Sequence, residues 1–191
     1  MRGSTPRGGT KYIMYPLLIK NFITQQEIDT VLNWTKSIES LFGKLVPGNF
    51  WAGRSLDYSL MPKNIQDILY NSFYRGILLL NEKPNLIPEI LHITRWPPDP
   101  RYELMPHADA EEPNGRKHIY WWRQYGAIIY LNNDFEGGEL YYPNLHIVVK
   151  PEPGLLAIHP GTLKYLHGVK PVIGNTRYTL TSFFKYDNST P

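Results

Sequence analysis

The chain has no cysteine. Disulfides and thiolate metal sites are therefore excluded, which leaves histidine and carboxylate as the means of holding a transition metal. Charge is sparse as well: charged residues make up 19 % of the chain and the formal net charge is +3. A dedicated nucleic-acid binder carries far more basic charge on one face, so no nucleic-acid partner is expected. Long hydrophobic runs are missing. The apolar stretch at residues 13–19 contains Pro16, is too short to span a bilayer and lacks a small-residue cleavage pattern. It reads as a strand of a soluble protein, with no membrane partner and a cytoplasmic location as the expectation. Residues 1–10, polar and glycine-rich with an M-R-G-S start, read as a disordered leader.

What remains fits a single domain over residues 11–191 of the 191-residue chain. The hydrophobic period changes from helical to strand-like near residue 88, dividing a helical buttress with the first strands (11–87) from a β-rich core (88–186). Thr24 and Glu27 form a capping box, after which Ile28, Val31, Leu32, Ile38, Leu41 and Phe42 recur at helical spacing. A second helix is predicted from about Lys63 to Leu80, with Pro62 at its start. Beyond it, short β-rich runs alternate with turn residues: I-L-H-I-T-R-W, G-A-I-I-Y-L, E-L-Y-Y, H-I-V-V-K, L-L-A-I-H, L-H-G-V-K and R-Y-T-L-T-S-F-F. That succession suggests a β-sandwich or jelly roll with helices packed on one side.

Four polar residues stand out within these runs: His107 and Asp109 in M-P-H-A-D-A, His167 in Y-L-H-G-V and Arg177 in G-N-T-R-Y-T-L. Residues two apart on an extended strand share a face, so His107 and Asp109 can grip one ion, and a distant imidazole can complete the set. Two histidines and a carboxylate leave about half of an octahedral ferrous ion open, as an oxygenase requires. Arg177 offers paired donors in a fixed plane and suits the far carboxylate of a metal-bound oxoacid. On its strand Thr179, Thr181 and Phe183 share its face, which puts a hydroxyl near that oxoacid. His159, ending L-L-A-I-H, rivals His167 as the third ligand.

The ordered motifs resemble the prolyl 4-hydroxylase branch of the 2-oxoglutarate and Fe(II)-dependent oxygenases. H-x-D at 107–109 is followed by Y-L-N at 130–132, G-G-E-L at 137–140, P-E-P-G-L-L at 151–156, H-G-V at 167–169 and a basic residue ten positions after His167. The resemblance covers roughly half of the chain, residues 88–186. It implies a double-stranded β-helix, or jelly roll, buttressed by the N-terminal helices. It further implies an Fe(II) ion on His107, Asp109 and His167, with His167 preferred over His159 because ten residues separate it from Arg177. Arg177, Tyr130 and Thr181 are implied to bind 2-oxoglutarate, with O2 as second co-substrate and ascorbate supporting activity. Trp122, Tyr102 and Trp96 are candidate substrate-facing aromatics. The reaction implied is hydroxylation of a C–H bond, foremost of proline in a peptide or protein, with succinate and CO2 as co-products. Two alternatives stay open: hydroxylation of a free amino acid or other small molecule, and a jelly roll that binds metal or ligand without turnover. Residues 110–118, polar and containing Pro and Gly, are expected to form a loop that orders over substrate.

Overall fold

A computed structural model describes residues 15–45, 53–80 and 85–189. The proposed leader at 1–10 lies outside the described residues. The strand expected at 13–19 is present over its described part as β1 (Leu17–Ile19).

Two helices precede most of the sheet. Helix α1 (Gln25–Ser37) starts at the expected capping box, with Thr24 Oγ1 accepting from the Glu27 amide and the Glu27 carboxylate accepting from the Thr24 amide at 2.7 Å. It ends sooner than the apolar spacing suggests. Ile38 leaves helical geometry at φ −116°, ψ 24°, and a 3-10 turn over Glu39–Phe42 follows. Such a turn keeps a side chain at every third residue on one side, so Phe42 is still buried. Helix α2 (Lys63–Leu80) begins where Pro62 accepts the first helical amides, and it buries Ile65, Leu69, Phe73, Ile77 and Leu80.

The strands are β2 (Ser55–Asp57), β3 (Leu86–Trp96), β4 (Leu104–His107), β5 (Arg123–Tyr130), β6 (Glu136–Gly137), β7 (Leu140–Tyr142), β8 (Ile147–Val149), β9 (Leu156–Pro160), β10 (His167–Val169), β11 (Val172–Ile173) and β12 (Arg177–Tyr186). They form a six-stranded sheet in the order β1-β9-β5-β12-β3-β2, a four-stranded sheet in the order β4-β10-β7-β8, and a two-stranded ribbon of β11 and β6. All of the pairings are antiparallel. The expectation of a jelly roll backed by helices holds.

Strand alternation gives the large sheet two unlike faces. Ile93, Ala127, Ile129, Ile158, Leu180 and Phe184 point to the helices and form one core with Leu69, Phe73 and Ile77. A smaller core lies between the sheets, made by Trp96, Tyr130, Leu140, Tyr142, Ala157, Val169 and neighbours. Between β12 and β3 the register shifts at Phe183/Phe184, so that Ile90 and Pro88 are successive partners and Glu89 is left over. A bulge there suits a strand containing proline, which cannot donate to a ladder. The Glu89 carboxylate accepts from the Trp122 indole at 2.6 Å and from Arg123 Nε at 2.7 Å.

Candidate active site

His107 closes β4 and His167 opens β10, and the two are directly paired across the ladder. Their rings lie 4.6 Å apart, centroid to centroid. Because β4 stops at His107, Asp109 reaches the same point through the bend that follows the strand and not through strand alternation. His107, Asp109 and His167 each offer a ligand atom within 4.8 Å of the others. Asp109 Oδ1 stands 3.8 Å from His107 Nε2 and 3.9 Å from His167 Nε2.

Both imidazoles are oriented by the backbone two residues before them. His107 Nδ1 is 3.1 Å from the Met105 carbonyl and His167 Nδ1 is 3.1 Å from the Tyr165 carbonyl. A carbonyl can only accept, so each Nδ1 carries a hydrogen and each Nε2 is the nitrogen turned to the common centre. Burial, reinforced by the neighbouring His159 and His107 and opposed by Asp109, lowers the His167 pKa to about 3. The ring is thus neutral near pH 7, the form a metal requires. Burial by itself would raise the Asp109 pKa, but electrostatic attraction to the surrounding His167, His159 and His107 rings and the hydrogen bond from His159 outweigh it. The carboxylate is held well below its usual range. Two imidazoles and an ionised carboxylate make a donor set suited to Fe(II).

Arg177, 1 % exposed, begins β12 opposite Trp96 of β3. Its guanidinium lies 5.4 Å from the Trp96 ring centroid and 5.1 Å from that of Tyr130. Nε and Nη2 of Arg177 and the Tyr130 hydroxyl are buried without hydrogen-bond partners. Burial lowers the Arg177 pKa, while Tyr130 beside it raises it. A buried cation with idle donors is costly unless an anion joins it, and a ligand carboxylate would satisfy both groups. Room for the arginine stem comes from Gly138 of the G-G-E-L motif. That residue has φ +67°, and a Cβ on it would come 2.9 Å from Arg177 Cδ.

The three cluster residues, Arg177, Trp96 and Thr179 line one narrow inner cleft between the sheets. His107, Asp109, Thr94 and Thr181 also border an outer cleft of about 420 Å³, whose further walls include His92, His118, Tyr120, Arg123 and Phe183. The cluster therefore sits where the two spaces meet. Arg123 is held rigidly in the outer wall, its guanidinium 3.8 Å from the Tyr120 ring centroid and 3.7 Å from that of Phe183.

The strand-parity expectation for β12 holds, since Arg177, Thr179, Thr181 and Phe183 line the clefts while Tyr178 and Leu180 join the helix-side core. Thr181 lies between the clefts, 3.2 Å from the Thr94 hydroxyl. Trp96 is brought beneath Arg177. Trp122, turned to Glu89, lines neither cleft. Nor does Tyr102, whose ring lies 4.7 Å from the Arg54 guanidinium. The loop at 110–118 borders the outer cleft through His118 and is tied down by a Glu111–Lys117 bridge and by Glu111, which accepts from the Leu163 amide at 2.7 Å. His159 falls outside the ligand-atom cluster, yet its Nε2 lies 3.3 Å from Asp109 Oδ2.

The family model of the 2OG-Fe(II) oxygenase superfamily matches residues 91–185. Prolyl 3-hydroxylase 1 of Gallus gallus is 36 % identical over 73 residues, which is 36 % of this chain and 10 % of that protein. Procollagen-lysine,2-oxoglutarate 5-dioxygenase 1 of Mus musculus is 30 % identical over 99 residues, 50 % of this chain and 12 % of that protein. The chain thus spans about a tenth of the length of these curated relatives. Among solved structures, the viral collagen prolyl hydroxylase of Paramecium Bursaria Chlorella virus-1, in complex with 2OG, superposes with a TM-score of 0.68 at 17 % identity, covering 88 % of this chain and 94 % of that one.

Proposed function

From the premise that the chain belongs to the 2OG-Fe(II) oxygenase superfamily, we propose that it is a 2-oxoglutarate- and Fe(II)-dependent dioxygenase that hydroxylates proline in a peptide or protein. In the overall reaction one C–H bond becomes C–OH while 2-oxoglutarate and O2 become succinate and CO2. His107, Asp109 and His167 would hold the iron, which when bound would supply the oxidative chemistry at this cleft. Arg177 and Tyr130 take the distal carboxylate, and Thr181, four residues along β12, meets the co-substrate nearer the metal ligands. The observation that carries this assignment is the buried Arg177, with idle Nε and Nη2, in the wall of the cleft that the His-Asp-His cluster also lines.

Each protein group has a placing role in this reading. The Met105 and Tyr165 carbonyls keep both Nε2 atoms turned inward. Trp96 supports the guanidinium plane that fixes the co-substrate. The outer cleft receives the peptide, whose target residue rests near Tyr120 and Phe183 and displaces water from the reaction space. A peptide target is supported by relatives named for collagen proline and procollagen lysine. Ascorbate, in the same reading, supports activity.

The test is succinate formation by protein loaded anaerobically with Fe(II) and then given O2, 2-oxoglutarate and one of three substrates: proline-bearing peptides, lysine-bearing peptides or free proline. The proposal predicts succinate in step with one oxygen added to peptide proline. Oxygen on lysine, or on free proline alone, would reassign the substrate.

A further inference from the structure

The buried residues Tyr142 and His159, which have no role in the proposed function, form a hydrogen-bonded row with Asp109. Tyr142 Oη lies 2.8 Å from His159 Nδ1, and His159 Nε2 lies 3.3 Å from Asp109 Oδ2. Exposure is 0 % for Tyr142, 1 % for His159 and 5 % for Asp109. A carboxylate only accepts, so His159 Nε2 carries a hydrogen and donates it to Oδ2. In the neutral ring Nδ1 is then bare and accepts the Tyr142 hydroxyl. The direction of the row in that form is Tyr142 to His159 to Asp109.

The two oxygens of Asp109 are thereby divided. Oδ1 faces His107 Nε2 and His167 Nε2 at 3.8 and 3.9 Å, while Oδ2 is taken by His159. A second observation shows that this contact is built in. Gly126 on β5 is paired with His159 on β9, and a Cβ at Gly126 would come 2.5 Å from Asp109 Oδ2 and 2.7 Å from His159 Nε2. A side chain at this position would have to push Asp109 or His159 out of the contact.

We propose that His159 is a positioning residue that keeps Asp109 to one metal-binding oxygen, so that the coordination position a second oxygen would take stays open for the incoming ligands. The inference rests on the iron assignment of Asp109. Tyr142 acts one step further out, by fixing the ring's tautomer.

Anaerobic titration with Mn(II), a redox-silent ion that prefers oxygen and nitrogen ligands, separates the possibilities, with thermal melting of each metal-free variant recorded alongside. His159→Phe is expected to weaken Mn(II) binding about 10- to 100-fold. His159→Gln, whose amide can donate to Oδ2, is expected to recover most of that loss. In the metal-induced infrared difference spectrum, the carboxylate stretches of His159→Phe should shift toward a two-oxygen binding mode, while those of His159→Gln stay with the wild type. Wild-type affinity in His159→Phe, or equally weak binding in the Phe and Gln variants with an unshifted infrared spectrum, would overturn the positioning role alone. A wild-type protein that binds no Mn(II), or an Asp109→Ala variant that binds as well as wild type, would overturn the iron assignment and this inference with it.

Discussion

The two faces of the large sheet differ in kind although alternate residues of the same strands build them. On β12, Tyr178, Leu180 and Phe184 enter an apolar core sealed by α1 and α2, whereas Arg177, Thr179 and Thr181 turn toward the clefts. The helix side gains its stability from burial and close packing. On the cleft side, idle donors on Arg177 and a hydroxyl on Tyr130 stay buried without partners. Such groups oppose folding until a ligand meets them, so the cleft face gives up stability in favour of binding. Substitutions on the two faces should therefore separate activity from stability.

The largest expected effect is on the cleft face. Asp109→Ala should abolish 2-oxoglutarate turnover while the melting temperature of the metal-free protein stays unchanged or rises. Succinate assays paired with circular-dichroism melts check this, and a cooperative loss of fold would instead make Asp109 structural. On the helix face, Phe73→Ala should show the reverse pattern. It should lose about 3–5 kcal/mol in urea unfolding, as large-to-small core changes do, with little change in the 2-oxoglutarate requirement of the remaining folded protein.

Arg177→Ala should raise the 2-oxoglutarate concentration needed for half-maximal rate by about ten- to a hundredfold, the equivalent of about 1.5–3 kcal/mol for a lost charge-assisted hydrogen bond. An unchanged requirement would place the carboxylate elsewhere. A smaller effect concerns pH. Burial holds His167 at about 3 against an ordinary 6.5, so between those values the unfolded chain takes up a proton that the folded chain refuses. Stability of the metal-free protein is therefore complete above about pH 6.5 and falls as pH drops toward 3. Melting curves of wild type and His167→Gln across that window should diverge, with the variant less steep; parallel curves would contradict the assignment.

The same contrast explains what could be read from the chain beforehand. Helix starts, strand alternation and the relation of Arg177 to Thr179 and Thr181 are local patterns, and the structure carries them through. What escaped depends on contacts between distant segments. The short span of α1 follows from Ile38 leaving helical geometry, which the apolar spacing through Phe42 concealed. Trp122 turns away from the clefts because a bulge on β3 presents Glu89 to it, and that bulge is a matter of pairing with β12. The Asp109–His159 contact spans 50 residues, and its one trace in the sequence is a glycine at position 126. Glycine in a strand marks a close approach, but not what approaches.

The most direct test of the account is a diffraction experiment on crystals soaked anaerobically with Fe(II) and 2-oxoglutarate, with data collected at the iron absorption edge. The account predicts a single iron peak bound by His107 Nε2, Asp109 Oδ1 and His167 Nε2, with the far carboxylate of 2-oxoglutarate hydrogen-bonded to Arg177 and Tyr130. Iron at any other ligand set, or a carboxylate held away from Arg177, would contradict it.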